Sequence, residues 1–199
     1  MSTRRGGGQM GGMQADRRAS PAVRAARRRF LGQAAAAVAA SVPLAAWARL
    51  APGSRSVSLA HAHTNERLSI TYFRDGNYVR DALAQLDFLL RDFRTGEVHP
   101  IDPALLDILH DLRLRTGHAA PFAVVSGYRS PRTNAELRRH SRGVAEHSLH
   151  MQGRAIDIRL PGYATRGLQQ IALDLRRGGV GYYPAADFVH VDTGRVRAW

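Results

Sequence analysis

SLHMQGRAIDI, residues 148–158, and FVHVD, residues 188–192, share a pattern in which apolar residues alternate with residues that carry chemistry. Ile156 and Ile158 flank Asp157, and Val189 and Val191 flank His190. A strand sends successive side chains to opposite faces, so each segment reads as a strand with one face in the core and one face free for chemistry. His150 stands in the turn before the first of them. Two imidazoles and a carboxylate form the donor set of a catalytic zinc site, in which three protein ligands leave a fourth position for water. Such an ion lowers the pKa of that water towards about 7 and polarises a carbonyl, so hydrolysis needs no side-chain nucleophile. Singly, each residue also has an ordinary reading: a lone histidine is most often a surface or satisfied core residue, and a strand aspartate is usually solvated. Spacing alone leaves both readings open.

Outward from this pair, the periodicity describes an α+β domain. Val57, Leu59, Leu68, Ile70 and Tyr72 alternate and predict a hairpin turning near Thr64-Asn65. Val79, Leu83, Leu86, Leu90 and Phe93 recur at helical spacing and predict a helix over 78–93 capped by Asn77. Asp102-Pro103 supplies a cap and first-turn proline for a second helix, which Gly117 ends. Phe122 to Val125 reads as a strand, and Ser130-Pro131 repeats the cap-proline signal for a helix reaching His140. A further helix over 165–177, stopped by Gly178-Gly179, precedes strands near 180–183 and 188–192. Helices early and strands mostly late predict a small antiparallel sheet flanked by helices, without internal repeat.

Composition bounds the chemistry. Without cysteine there is no disulfide, thiolate metal site or cysteine nucleophile, so any metal must use histidine and carboxylates. The net charge is +13, and all 29 basic residues are arginine. Residues 1–48 hold eight of them against Asp16 alone, leaving 21 arginines against 15 acids in the remainder, an excess that suits an anionic polymer. Residues 1–23, with GGGQMGGMQ, form a low-complexity leader. Arg27-Arg28-Arg29-Phe30-Leu31 then precedes an Ala-rich stretch and the small-residue pattern Ala46-Trp47-Ala48, an arrangement that resembles a twin-arginine export signal. The expected organisation is a leader and signal over 1–48, a linker at 49–56 and one domain over 57–199. Cleavage is expected after Ala48, with Ala60-His61-Ala62 as a second small-residue site, and the mature protein is placed in the periplasm with only transient membrane contact during export. The densest arginine cluster lies in that signal and no aromatic-basic stacking motif follows it, so nucleic acid is not an expected partner.

SGYRSPRTN (126–134), SLHMQGRAID (148–157) and GGVGYYPAADFVHVDTG (178–194) together resemble the M15-type zinc peptidases, in their murein endopeptidase K branch. FRDGNYVRDALAQLDFLLRDFR (73–94) and IDPALLDIL (101–109) extend the likeness over about residues 57–199. The resemblance implies one zinc ion per chain held by His150, Asp157 and His190, with Arg129 binding a substrate carboxylate or the carbonyl oxygen that gains charge. It implies a substrate too: peptide cross-links of peptidoglycan, between two diaminopimelate residues or between D-alanine and diaminopimelate. Gly153 and Ala155 would keep the backbone close to the metal. Related carboxypeptidase and dipeptidase branches carry a glutamate three residues before the last histidine, where this chain has Asp187. Asp187 is therefore the first candidate for general base, with Asp192, His147 or no side chain as alternatives. A D-Ala-D-Ala carboxypeptidase or dipeptidase, or a wall-binding module that does not cleave, are the competing functions.

Overall fold

A computed structural model describes residues 53–141 and 143–199, so the export segment and its cleavage site after Ala48 lie outside the described residues. The elements run β1 (Arg55–His61), β2 (Arg67–Arg74), β3 (Asn77–Tyr78), α1 (Arg80–Leu89), α2 (Pro103–Thr116), β4 (Phe122–Ser126), α3 (Pro131–His140), β5 (Ala155–Arg159), α4 (Thr165–Leu175), β6 (Gly179–Tyr183), β7 (Phe188–Asp192) and β8 (Arg197–Ala198). Short 3-10 turns at Leu149–Gln152 and Pro184–Ala186 precede β5 and β7.

All described strands join one sheet in the order β3-β2-β1-β4-β5-β7-β6-β8. The α+β class holds, but the sheet is larger than the sequence suggests and is mixed: β1 pairs with β4, and β6 with β8, in parallel. The first parallel pair arises because β2, β3, α1 and α2 all intervene between β1 and β4, giving the chain enough length for a crossover. No sequence signal marked β8, which is two residues long.

The hairpin forms as expected, with Leu59 opposite Leu68 and Val57 opposite Ile70. It begins at Arg55, inside the stretch read as linker, and Ala60 and His61 lie within β1 between β2 and β4. Cleavage after Ala62 would therefore remove an interior strand.

Asn77 does not cap α1. It pairs with Arg74 in β3, and Val79 takes the cap position without a side-chain hydrogen bond. Nor does the helix reach Phe93, because the chain after Leu90 folds into a turn around Asp92. The start of α2 follows the sequence: Asp102 accepts from the Ala104 amide at 2.9 Å, Pro103 opens the helix, and Gly117 closes it at φ 59°. α4 ends at Leu175, with Arg176 in the left-handed conformation, because Gly179 is already part of β6.

The core lies between the sheet and the helices. Leu105, Leu106, Leu109 and Leu112 of α2 are fully buried, as are Ile156, Ile158 and Val189 from β5 and β7. Each such side chain contributes about 1.5–3 kcal/mol relative to exposure. Strand alternation then sends Asp157 and His190 to the other face.

Asp92, 1% exposed, joins the end of α1 to the start of α3. Its Oδ2 accepts from the amide and hydroxyl of Ser130 at 3.0 and 2.7 Å, and its Oδ1 accepts from the Arg94 amide. Burial raises this carboxyl, but the hydrogen bonds from Thr133, Ser130 and Arg94 outweigh it and hold the pKa down to about 2. A carboxylate depressed in the folded state stabilises above its unfolded value and loses that contribution as pH falls through its folded value. Asp92→Asn should thus lower stability by about 2 kcal/mol at pH 7. Denaturant unfolding followed from pH 7 downward should show the gap to wild type closing between about pH 4 and pH 2.

Candidate active site

Asp157 and His190 are cross-strand partners in β5 and β7, so the sheet register sets their side chains against each other on one face. His150 arrives from the 3-10 turn whose cap is Ser148, with the Ser148 hydroxyl accepting from the His150 amide. Gly153 closes that turn at φ 64°, and a Cβ there would collide with the Pro100 carbonyl. Gly153 is thus explained by close packing on Pro100 and by the left-handed turn, while Ala155 lies buried opposite Asp192 in the β5/β7 ladder.

The three side chains converge. His150 Nε2 is 3.2 Å from His190 Nδ1 and 3.3 Å from Asp157 Oδ1, and His190 Nδ1 is 2.9 Å from Asp157 Oδ1. All three residues are buried, at 3%, 6% and 8% exposure for His150, Asp157 and His190. Two ligand atoms about 2.0–2.1 Å from a tetrahedral zinc stand about 3.3 Å apart, so the observed triangle matches one face of such a polyhedron.

The far nitrogens orient both imidazoles. His150 Nδ1 lies 2.7 Å from the Gly127 carbonyl oxygen, which can only accept, so Nδ1 carries the proton and Nε2 presents a lone pair. His190 has a carboxylate oxygen at each ring nitrogen, Asp192 Oδ2 3.1 Å from Nε2 and Asp157 Oδ1 2.9 Å from Nδ1, so a cation in the triangle would take the Nδ1 side and leave the Nε2 proton donated to Asp192. With His190 Nδ1 deprotonated, two lone pairs and a carboxylate oxygen would converge on one point, as a bound cation requires. The donor set and its spacing fit a zinc ion, with partners for the outer nitrogens of the kind that orient metal-bound imidazoles. The electrostatics of the cluster favour positive charge as well. Burial lowers the His190 pKa, but hydrogen bonds to Asp157 and Asp192 outweigh it and raise it above its ordinary value. Burial raises Asp157, but His150 and His190 more than reverse that and hold it well below the carboxylate range.

Arg129 comes from the SGYRS turn, which is anchored at each step: Tyr128 N donates to Leu90 O, Arg129 N to His150 O, and Ser130 to Asp92. Its guanidinium lines a cleft of about 490 Å³ together with the three converging residues, His147, Tyr183, Phe188, Arg197 and Trp199. The Arg129 NH2 is 3.7 Å from Asp157 Oδ2, its NH1 donates to Asn134 Oδ1 at 3.3 Å, and its buried Nε has no hydrogen-bond partner. Burial lowers its pKa, with Asp157 opposing. It remains a cation at any working pH.

The candidates for general base separate. The structure does not bring Asp187 to the cleft. Its backbone is left-handed at φ 52°, and its exposed carboxylate accepts from the Thr165 hydroxyl and lies 3.6 Å from Arg159. Asp187 stands outside β7, at the left-handed end of the Pro184–Ala186 turn, and that backbone turns its side chain towards Thr165 and Arg159. Asp192 shares the His190 face, but its two oxygens are taken by His190, Arg197 and the amides of Gly179 and Gly194. His147 is exposed, lines the cleft and has no hydrogen bond or ion pair within the described residues. Sequence reasoning missed Arg197 and Trp199, because β8 carries no periodicity long enough to read.

A helix-backed mixed sheet with a buried His-Asp-His triangle at the floor of a cleft is the arrangement of an M15-type peptidase. The family model described as peptidoglycan L,D-endopeptidase MepK matches residues 49–199, and the chain belongs to that family. Peptidoglycan L,D-endopeptidase MepK of Escherichia coli K12 is 41% identical over 175 residues, 87% of this chain and 96% of the relative. A probable peptidoglycan L,D-endopeptidase MepK of Haemophilus influenzae is 43% identical over 149 residues, 74% of this chain and 80% of its own length.

Gly127 tests the packing that aims His150. A Cβ there would meet the Leu90 carbonyl oxygen at 2.5 Å and the Leu90 Cβ at 3.0 Å. Gly127→Ala should displace the carbonyl that holds His150 Nδ1, cutting zinc affinity roughly 10–100-fold. Competition with a chromophoric chelator measures this, and wild-type affinity in the variant would show that Gly127 does not aim the ligand.

Proposed function

We propose that this protein is an exported zinc-dependent murein endopeptidase that hydrolyses peptide cross-links of bacterial peptidoglycan in the periplasm. The observation that carries the reading is the buried triangle of His150 Nε2, Asp157 Oδ1 and His190 Nδ1 at the floor of a cleft that also holds Arg129. Membership in a peptidase family whose curated relatives are named peptidoglycan L,D-endopeptidases supports the substrate. Of the two bonds considered, that designation favours the one joining two diaminopimelate residues from an L centre to a D centre. The twin-arginine-like segment supports export, and among the described residues no helix is long and apolar enough to cross a membrane.

One zinc ion held by His150, Asp157 and His190 would supply the polarisation of the scissile carbonyl and the acidification of the attacking water. The chain's own residues do the rest. Arg129 presents guanidinium donors to the cleft and binds either the carbonyl oxygen as it gains charge or the carboxylate beside the scissile bond. The nitrogen-side diaminopimelate residue carries such a carboxylate, so a fixed guanidinium orients the bond against the triangle. Tyr183, Phe188 and Trp199 give the cleft apolar walls, which exclude water from that ion pair. The proton leaving the water needs an acceptor. We assign it to His147, the one candidate that lines the cleft with its ring unengaged.

The test is to incubate the purified protein with intact cross-linked murein, with and without a zinc chelator, and to identify released muropeptides by mass spectrometry. Chelator-sensitive conversion of dimers joined through two diaminopimelate residues to monomers is expected, and His150→Ala should abolish it together with zinc binding. Full activity in His150→Ala would sink the metal reading, and binding to murein without cleavage would favour a wall-binding module.

A second comparison concerns the base. His147→Gln should keep zinc and lose about two to four orders of magnitude in kcat, whereas Asp187→Ala should stay within a few-fold of wild type. The reverse result would return the role to Asp187.

A further inference from the structure

We propose that Arg197 is a positioning residue of the metal centre, acting through Asp192 to hold His190 in the tautomer and orientation that the triangle requires. The inference rests on the zinc reading above and extends it to a part of the chain for which the sequence carries no signal.

The observations form a chain of contacts. Asp192 is completely buried at the end of β7. Its Oδ1 accepts from the amides of Gly179 and Gly194 at 3.0 and 2.8 Å and from Arg197 NH1 at 3.0 Å. Its Oδ2 accepts from Arg197 NH2 at 2.7 Å and from His190 Nε2 at 3.1 Å. Arg197 thus grips both oxygens through its planar fork, a geometry that fixes the carboxylate plane as well as its charge. The amide contacts bind Oδ1 alone. Without the guanidinium, Oδ2 would keep His190 as its only partner, and the buried carboxylate would lack its one full positive counter-charge.

Trp199 protects this arrangement. Arg197 Cζ lies 4.7 Å from its ring centroid, the His190 ring lies 5.2 Å from it on the cleft side, and the indole Nε1 donates to the Tyr183 hydroxyl at 2.8 Å. β8, running parallel to β6, sets both residues in place. The segment therefore straps the outer edge of the sheet to β7, with the indole beside both Arg197 and His190.

The consequence is specific to one ligand. His150 takes its orientation from the Gly127 carbonyl and meets the Arg197 chain of contacts only through His190. Loss of the Arg197 fork should free Asp192 to rotate, let His190 sample the tautomer with its proton on Nδ1, and weaken metal binding through that ligand alone.

The experiment compares wild type, Arg197→Lys and Arg197→Met as full chains. Zinc affinity is read by competition with a chromophoric chelator, fold by far-ultraviolet circular dichroism and thermal melting, and the metal-free imidazole tautomers by nitrogen-15 NMR of labelled histidine. A folded Arg197→Met should bind zinc about 10–100-fold more weakly. Its His190 should show mixed tautomers while His150 stays unchanged. Arg197→Lys keeps the charge but not the fork, and should fall between.

Unchanged zinc affinity together with an unchanged His190 tautomer in Arg197→Met would overturn the proposal. Should Arg197→Met fail to fold, Arg197→Lys decides in the same way, wild-type values in both readouts overturning it. If wild type itself binds no zinc, the metal reading fails, and the His190 tautomer in the variants still tests the positioning role on its own.

Discussion

Asp157 and His190 face each other across β5 and β7, and the rest of the site is arranged around that register. Side chains alternate along a strand, so a slip of one residue in either strand would send Asp157 or His190 into the helix-packed core and bring isoleucine or valine to the cleft. The apolar neighbours therefore do more than stabilise. Ile156, Ile158, Val189 and Val191 lock the register from below, and a strong hydrophobic penalty for slippage becomes precision in the placement of two ligand atoms above.

A site with three buried polar side chains is expensive unless its polar atoms have partners. The fold meets that condition through groups drawn from distant parts of the chain. The Gly127 carbonyl takes the outer proton of His150, Asp192 takes that of His190, and Asp157 lies between both imidazoles with Arg129 beyond. Each partner is held in turn. Asp92 fixes the turn that carries Gly127 and Arg129, while Arg197 and two glycine amides fix Asp192. Asp192 and Asp92 are thus carboxylates with a shared role: both are buried, both are held low by donated hydrogen bonds, and both convert a loop or strand end into a rigid support.

The cleft above the triangle combines two guanidiniums with aromatic walls, but the two arginines do different things. Arg129 leaves its Nε without a partner and offers donors to the cleft, whereas Arg197 spends its fork on Asp192. Of the two guanidiniums, the one paired on Asp192 is committed to the fold, and Arg129 is left as the cation available to a ligand in the cleft.

The sequence by itself determined the local elements and the chemical faces. The Asp102-Pro103 and Ser130-Pro131 caps, the Gly117 stop and the alternation around Asp157 and His190 each depend on a few neighbouring residues, which is why they are legible in one dimension. Where a local signal met a tertiary demand, the tertiary demand won: Asn77 lies in β3 instead of capping α1, and Arg176 ends α4 because Gly179 already belongs to β6. Only the tertiary structure decided where the side chains of Asp187, Asp192 and Arg197 lie. Asp187 and Asp192 are carboxylates close to His190 in sequence, and spacing cannot tell which one turns towards it. The left-handed backbone at Asp187 and the two-residue strand that delivers Arg197 to Asp192 set those directions through contacts between segments. Such contacts leave no periodic trace in the chain, because they are made by single residues meeting across the sheet.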